Sequence, residues 1–149
     1  MVNSTGIGGN RIVGFEDSLA TTETGDVADG DTEVTAIEAD DGKAFVIKGI
    51  YAKVDATGGS GTHHLEIHPW DTFSSQLLGI VIESDGTADI DMRGNYLIDG
   101  SFERLNQDQF LELINGIVTD TIIFRYNNDS GEVQEGPRDF RLAVAEIEV

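Results

Sequence analysis

The apolar residues of this chain are dominated by β-branched side chains, and this bias restricts the folds open to it. Ile and Val together number 26 in 149 residues, whereas there are only 9 Leu and 2 Met. β-branched side chains lose rotamer freedom in a helix and pack well on the pleated surface of a sheet. The composition therefore predicts a domain built from strands.

Apolar segments of strand length follow one another from residue 33 onward. Residues 44–54 are apolar on both faces, as in a central strand, and residues 77–82 form a continuous apolar run. Asp85-Gly86 predicts a hairpin turn after that run, and residues 106–115 have the spacing of one short helix. About eight strands without an internal repeat predict an all-β, antiparallel β-sandwich, specifically a single jelly roll. An immunoglobulin-like sandwich is the alternative.

The N-terminal part of the chain differs in composition from the rest. Ten acidic residues and no basic residue lie between Arg11 and Lys43. We therefore expect an acidic, extended N-terminal arm over residues 1–32, followed by the jelly-roll domain over residues 33–149. The arm reaches across a neighbouring subunit in one interpretation and is a long surface loop of the same domain in the other.

The net charge constrains where such a domain is stable. Asp and Glu total 28 and Lys and Arg total 9, which gives a formal net charge of -19, and the acids are spread along the chain. Such a surface repels itself in dilute buffer, whereas molar salt shortens the Debye length to ~3 Å and screens the repulsion. Adaptation to high salt is the favoured interpretation; an ordinary acidic protein or a Ca²⁺-rich surface is the alternative. The lack of a basic stripe disfavours nucleic-acid binding.

Several classes of function lack their sequence signals. The chain has no Cys, which excludes disulfides, thiolate metal ligands and thiol nucleophiles. No apolar run approaches the ~20 residues of a transmembrane helix, and no secretory signal is visible at the N-terminus. Neither a serine nucleophile elbow nor a phosphate-binding glycine loop is present. We therefore expect no enzyme activity, no catalytic residues and no resident cofactor.

The segment from His63 to His68 contains the one group of residues with metal-ligand spacing. On a strand, His64, Glu66 and His68 project from the same face, and two imidazoles with a carboxylate suit Zn²⁺ or Fe²⁺. A polar, solvent-facing side of the strand is the favoured interpretation, so we expect no metal site and keep these residues as the weaker candidate. Weakly bound cations could also lie on two acidic segments, formed by Asp85, Asp89 and Asp91 and by Asn127, Asp129 and Glu132.

Two features could connect the chain with carbohydrate. Trp70, Phe73 and Tyr51 could form a platform on which a sugar stacks, although aromatic residues more commonly serve core packing or subunit contacts. Asn3 and Asn128 each begin a short N-glycosylation pattern. The glycosylation patterns are short and match by chance often, whereas the aromatic platform would suit a carbohydrate-binding or cell-surface adhesion module, a second class of function.

Five of the six Arg lie in the C-terminal part of the chain. Arg suits bidentate pairing with carboxylates at interfaces, so an acidic N-terminal part and an Arg-bearing C-terminal part could dock head-to-tail in a ring. Intramolecular ion pairs that offset the acid excess are the equal alternative. The candidate interface residues are Arg93, Arg104, Arg125, Arg138 and Arg141.

In size, acidity and strand pattern, the chain resembles the small single jelly-roll, penton-type capsid proteins that close the vertices of icosahedral, membrane-containing haloarchaeal viruses. The resemblance implies a structural virion protein, made in the host cytoplasm, that forms a homo-oligomer such as a pentameric ring, or a capsomer. Neighbouring capsid proteins and a vertex spike are the implied partners. A decoration or tail protein of a tailed haloarchaeal virus, a carbohydrate-binding or adhesion module, and a metal-dependent cupin-like enzyme are the alternatives.

The acid excess predicts a strong dependence of folding on salt. We expect the melting temperature, followed by circular dichroism, to be highest in molar NaCl or KCl. It should decrease when the salt concentration is well below molar, because dilute buffer leaves the repulsion between carboxylates unscreened. An equal melting temperature in low and molar salt would contradict this prediction.

Overall fold

A computed structural model describes residues 12–70, 80–92, 97–99, 104–105 and 107–149. These residues form eleven strands and one helix. The strands are β1 (Ile12–Glu23), β2 (Thr32–Glu38), β3 (Lys43–Val54), β4 (Thr62–Trp70), β5 (Ile80–Asp85), β6 (Ile90–Asp91), β7 (Leu97–Asp99), β8 (Arg104–Leu105), β9 (Val118–Thr119), β10 (Thr121–Asp129) and β11 (Arg138–Glu148); helix α1 spans Gln107–Ile114.

The strands form two antiparallel sheets. Sheet 1 has the order β1-β11-β3-β6, and β9 also pairs with β3; sheet 2 has the order β2-β10-β4-β5-β7-β8. The all-β, antiparallel sandwich predicted from the composition is therefore confirmed.

The order of the strands is that of a single jelly roll. Among the eight strands β1 to β6, β10 and β11, each connection passes from one sheet to the other, except the one from β4 to β5. The first of these strands pairs with the last and the second with the last but one, as in a long hairpin that has been rolled up. The remaining pairs, β3–β6 and β4–β5, complete the pattern.

The first strand of the roll lies within the segment predicted to be an arm. β1 pairs with β11 from Ile12 opposite Ile147 to Glu23 opposite Arg138. The sandwich thus begins before residue 33, because β1 completes the edge of sheet 1. Its partner lies at the other end of the sequence, so the local composition gives little sign of the pairing. Residues 1–11 lie outside the described part of the chain, and a contact of the arm with a neighbour stays a prediction.

The core lies between the two sheets. Alternate residues of β10 and β11 point inward, and the rings of Phe124 and Phe140 stack across the sandwich with centroids 4.6 Å apart and planes at 8°. Full burial of such a side chain contributes roughly 1.5–3 kcal/mol. The largest apolar residues of this core include Phe45, Ile47, Leu65, Ile67, Ile82, Ile90, Phe124, Tyr126 and Phe140.

The predicted hairpin at Asp85-Gly86 is wrong, because this turn connects β5 of sheet 2 with β6 of sheet 1. A Cβ atom on Gly86 would lie 2.6 Å from the carbonyl oxygen of Gly58, so only glycine allows this approach of the two loops. The dipeptide therefore forms a corner of the roll.

Helix α1 lies close to its predicted position and packs on sheet 1. Ile114 is in the core, while Leu111 lies beside Gly49, a position of β3 that faces away from the core. The Gly116 N–H, just after the helix, donates to the Ile47 carbonyl at 2.8 Å. The helix thus forms a raised wall on the outer face of sheet 1. Among the described residues, no helix has the length and apolar character needed to cross a membrane.

Candidate functional site

The candidate metal ligands lie on the outer face of sheet 2. His63, Leu65 and Ile67 of β4 are buried, so the alternate residues His64, Glu66 and His68 point outward. The structure therefore brings these three onto one face, as the spacing predicts.

The carboxylate of Glu66 is held by nitrogen-bearing groups on both of its oxygens. Asn127 Nδ2 donates to Oε2 at 3.0 Å, Arg125 Nη1 lies 3.9 Å from the same oxygen, and His68 Nε2 lies 3.5 Å from Oε1. Among the described residues, no group of three or more His, Asp or Glu is arranged to hold a metal ion. We refer to Glu66, His68, Arg125 and Asn127 as the sheet 2 cluster.

Arg141 lies on the outer face of sheet 1, as Arg125 lies on the outer face of sheet 2. Its Nη2 lies 2.9 Å from Asp139 Oδ2, and its side chain is 58% exposed. The hydrogen bond to Asp139 raises the pKa of Arg141, as the hydrogen bond to Asp55 raises the pKa of Lys53 on the same sheet. Arg125 and Arg141 are thus both available at the surface, each next to one acid.

Arg138 is buried, in contrast to its assignment as an interface residue. Its side chain is 1% exposed and forms an ion pair with Glu33 of β2. The guanidinium also donates to the Gly25 carbonyl at 3.2 Å and lies 5.6 Å from the ring centroid of Tyr126. Because β11 belongs to sheet 1 while β2 and β10 belong to sheet 2, Arg138 joins the two sheets within one chain.

The structure gives less information on the two remaining candidate interface residues. Arg104 lies in β8, where the backbone alone is described, and Arg93 lies outside the described residues. Their role at an interface stays a prediction.

Four loops meet at one end of the roll, and we call this region the loop end: residues 24–31, 55–61, 86–89 and 130–137. The side chain of Gln134 connects three of them. Its Nε2 donates to the carbonyl of Gly58 at 2.6 Å and to that of Gly86 at 3.2 Å, and its Oε1 accepts from Thr57 N at 2.7 Å. Gln134 is 1% exposed, so these bonds are shielded from water. Buried hydrogen bonds therefore connect these three loops to one another.

Asn128 connects the fourth loop, residues 24–31, to the other three. Its Nδ2 donates to the carbonyls of Val27 and Glu132, each at 2.8 Å, and the residue is fully buried. N-glycosylation would modify this same nitrogen, so the folded chain does not present Asn128 for glycosylation. Asn3 lies outside the described residues.

His63 is buried below the loop end. Its Nε2 lies 2.7 Å from the carbonyl oxygen of Ala88, and its Nδ1 lies 2.8 Å from the hydroxyl of Tyr126. A carbonyl can only accept, so Nε2 carries the proton and Nδ1 accepts from Tyr126. Burial lowers the pKa of His63 and raises that of Tyr126. Both shifts keep the pair neutral.

The surface charge is divided between the loop end and the sheet faces. The four loops contain no Lys or Arg and carry seven acids, Asp26, Asp29, Asp31, Asp55, Asp89, Glu132 and Glu135. On the sheet faces, by contrast, Arg125 lies beside Glu66 and Arg141 beside Asp139. At the loop end, Asp55 lies 3.3 Å from Nζ of Lys53 on β3, so charge is offset at this position as well as on the two sheet faces.

Two of the three aromatic residues proposed to bind sugar lie on strands that the structure describes. Tyr51 is in β3 of sheet 1, where its hydroxyl donates to Asp91 at 3.1 Å, whereas Trp70 is in β4 of sheet 2. Phe73 lies outside the described residues. Tyr51 and Trp70 thus belong to strands of different sheets.

Sequence reasoning missed the buried polar residues His63, Asn128 and Gln134. Residues 127–136 read as a polar surface loop, and nothing local distinguishes a buried amide from an exposed one. The glycines at positions 58, 59, 61, 86 and 136 were the available signal, since a Cβ at any of them would approach an atom of another loop.

No protein-family model and no curated protein matches this sequence. The function therefore has to be argued from the fold and the surface.

Arg138 and Arg141 permit a matched test on one strand. Arg138→Ala should lower the free energy of unfolding by roughly 1–3 kcal/mol, because it removes a side chain that is 1% exposed together with its ion pair to Glu33 and its hydrogen bond to the Gly25 carbonyl. Arg141→Ala should change it by no more than ~0.5 kcal/mol, as for an exposed site. Urea unfolding in molar NaCl measures both, and equal effects would contradict the buried position of Arg138.

His63 predicts a pH dependence of stability. Because its folded pKa lies below the ordinary 6.5, the unfolded chain binds the proton more tightly, and stability is lost as the pH falls through about 6.5 towards the folded pKa. Thermal melting at pH 7.5 and 5.5 should show a smaller decrease for His63→Gln than for the native chain. His64→Gln, on the outer face, is the control and should behave like the native chain.

Proposed function

We propose that this protein is a structural virion subunit, a small jelly-roll shell protein that forms the fivefold vertex or a capsomer of a halophilic virus. The jelly roll is a fold used by viral capsid proteins, but also by lectins and cupins, so the fold alone does not decide the function. The surface has to distinguish the three.

The distribution of charge is the observation that carries the proposal. A shell subunit buries its sides against neighbours and leaves at least one end free. In this chain Arg125 and Arg141 each lie beside one acid of a sheet face, whereas the four loops of the loop end carry seven acids and no Lys or Arg, and one of these acids, Asp55, is paired with Lys53 of β3. Contact between sheet faces brings neutralised patches together, and contact between loop ends would bring like charges together at a cost.

The rigidity of the loop end supports the same function. Loops that bind a ligand by closing over it belong to the less stable parts of a protein. Here Gln134 and Asn128 cross-link the loops through buried hydrogen bonds, and Gly86 packs directly on Gly58. Such an end suits a fixed element of a shell better than a closing binding site.

A carbohydrate-binding or adhesion module is the second candidate, because lectins share the fold. Its proposed platform loses Tyr51, which lies on the other sheet from Trp70. A decoration or tail protein of a tailed virus would use the same neutral faces, and it differs in where the subunit is found.

The proposal is tested by the assembly state in molar NaCl. Sedimentation and light scattering should show a defined ring or larger shell, and mass spectrometry should detect the chain in purified virions. A chain that stays monomeric at high concentration and is missing from virions would contradict the proposal, and Trp70 fluorescence changes with glycans would then favour the sugar-binding module.

The two surface arginines should be required for association rather than for folding. Arg125→Ala and Arg141→Ala should each raise the dissociation constant by about tenfold or more, because each leaves its intrachain partner, Glu66 or Asp139, as an acid without that cation on a face that the contact would bury. Their melting temperatures should stay close to that of the native chain. Lys43→Ala, which removes a cation paired with Asp40 and Glu146 at the start of β3, is the matched control for charge alone.

A further inference from the structure

Strand β2 leaves one edge of sheet 2 open. Within the described part of the chain it pairs with β10 alone, and the register is unbroken from Thr32 opposite Asn127 to Glu38 opposite Thr121. The strand contains no Pro, Gly or Lys, and no bulge interrupts it. Prolines, lysines and bulges commonly prevent the edge strands of native sheets from pairing with other chains. β2 therefore has an edge to which a further strand can be added.

The other sheet edges of the described chain are shorter or irregular. β1 shifts its register against β11 between Ile12 and Gly14 and again between Glu16 and Leu19. Such bulges leave a residue unpaired and bend the strand. The strands β6, β8 and β9 contribute two residues each. Among the described strands, β2 thus offers the longest regular edge.

The hydrogen bonds at both ends of β2 show which of its residues face the open edge. Just before the strand, Asn128 N donates to the Asp31 carbonyl at 3.0 Å, and just after it, Ala39 N donates to the Asp120 carbonyl at 2.9 Å. Antiparallel strands bond through alternate residues, so the odd-numbered residues from 31 to 39 bond to β10. The even-numbered residues direct their N–H and C=O groups to the open edge; they are Thr32, Val34, Ala36 and Glu38.

We propose that β2 pairs antiparallel with β2 of a second copy of the chain, across a twofold axis at Thr35. The pairing joins sheet 2 of both copies into one continuous sheet. In this register Val34 lies opposite Ala36 of the second copy, and Thr32 lies opposite Glu38. The inference does not rest on the proposed function, because it follows from the backbone and the sequence of one strand edge.

Backbone bonding favours this register over its neighbours. Each bonded pair of an antiparallel ladder needs two residues that both face the other strand, so an even-numbered residue has to lie opposite an even-numbered residue. Centring the axis on Thr35 gives every edge-facing residue of β2 such a partner. Moving the axis by one residue places Glu38 opposite Gly30, or Thr32 opposite Asp40, and both of these partners lie outside the strand.

The side chains of β2 are complementary to themselves in the same register. Its two acids, Glu33 and Glu38, lie opposite Ile37 and Thr32 of the second copy, so no acid of the strand faces another. Glu33 also has Arg138 of its own chain as an ion-pair partner. On the outer face, Val34 is 53% exposed and comes to lie beside Ala36 of the second copy. A second copy of β2 therefore fits this edge in both charge and apolar contact.

The twofold axis also keeps the two loop ends apart. Because the strands are antiparallel, the residues that precede β2 in one copy lie beside the residues that follow β2 in the other. The acids near the ends of the contact are Asp29, Asp31, Asp40 and Asp41, and the whole chain carries a net charge of -19. The contact is small for a protein interface, so we expect a dissociation constant of about micromolar or weaker in molar NaCl, and dissociation in dilute buffer.

Cysteine cross-linking tests the register, because the native chain has no Cys. Thr35 lies opposite its own copy at a non-bonded pair, where the Cα atoms of antiparallel strands are about 4.5 Å apart, within the range of a disulfide. With an added oxidant in molar NaCl, Thr35→Cys should therefore form covalent dimers that mass spectrometry detects. Ala36→Cys is the matched control. Its two cysteines would be diagonal neighbours roughly 7–8 Å apart, so it should cross-link at least about tenfold more slowly.

Proline at the open edge tests the pairing itself. The N–H of Ala36 faces the open edge and does not bond to β10, so Ala36→Pro should keep sheet 2 and a melting temperature near the native value. Sedimentation in molar NaCl should show association weakened about tenfold or more, because the ladder loses a bond and the ring obstructs the second strand. Ala36→Val keeps the N–H and should associate like the native chain. The same two changes in the Thr35→Cys variant separate this contact from any other between copies.

Each failure has a distinct result. Equal cross-linking of Thr35→Cys and Ala36→Cys would overturn the register, and cross-linking of Thr35→Cys that Ala36→Pro leaves unchanged would overturn the pairing of β2. If Ala36→Pro weakens association while Thr35→Cys does not cross-link, the edge accepts a different strand, which also overturns the proposal. If Ala36→Pro lowers the melting temperature, the comparison of the two Cys variants decides.

The edge contact and the shell function can fail independently. A chain that cross-links through Thr35→Cys but forms nothing larger than a dimer and is missing from virions would contradict the shell function and leave the edge contact standing. A chain that forms rings or shells and is present in virions, but whose Thr35→Cys variant does not cross-link, would overturn the edge contact alone.

Discussion

The constraint on which the structure depends is the placement of charge in a chain with 28 acids and 9 bases. A sandwich needs an apolar interior, and a chain that also associates needs sides that do not repel. The jelly roll meets both needs because its strands alternate inward and outward residues while its loops collect at the ends. Acids in the loops and at strand ends then disturb neither the core nor the sheet faces.

The largest exception to an apolar interior among the described residues is the polar group near the loop end, which includes His63, Tyr126 and Arg138. A buried ion pair is weak evidence for stability, because desolvation offsets most of its attraction. The ion pair between Arg138 and Glu33 instead helps to fix the position of the two sheets relative to each other. Arg138 of sheet 1 contacts Glu33 and Tyr126 of sheet 2, and His63 of sheet 2 bonds to the loop before β6. Each contact is satisfied only when the two sheets and the loops have one relative position.

The fold was largely predictable from the sequence because strand formation leaves a periodic signal. The alternation in residues 44–54 and the β-branched composition predicted strands, and their number predicted the jelly roll. The pairing of β1 with β11 was not predictable, since it joins residues more than 100 positions apart through backbone bonds that are independent of side-chain identity. The Asp85-Gly86 turn failed for a related reason: the dipeptide specifies a tight turn but not which sheet the next strand joins.

The candidate site residues also divide into those whose position strand periodicity predicts and those whose position depends on which strand face meets the core. The shared face of His64, Glu66 and His68 follows from strand periodicity and was predicted. The burial of Arg138, three residues before the exposed Arg141, depends on which face of β11 meets the core, and an odd spacing on a strand places two residues on opposite faces. Assigning the apolar residues Phe140 and Leu142 to the core would have predicted that Arg138 is buried, because Arg138 lies on the same face of the strand.

Salt links folding and association in this molecule, but the two need not respond alike. Carboxylates of the loop end face water in a free subunit and, in the proposed ring, still face water, so screening acts there on the repulsion between whole subunits over distances near the Debye length. The paired charges of the sheet faces are in close contact and would be partly shielded by the neighbour, where salt screens less. Molar salt therefore reduces the long-range repulsion between subunits more than it weakens the short-range ion pairs, and an acidic jelly roll of this design would associate more strongly as the salt concentration rises.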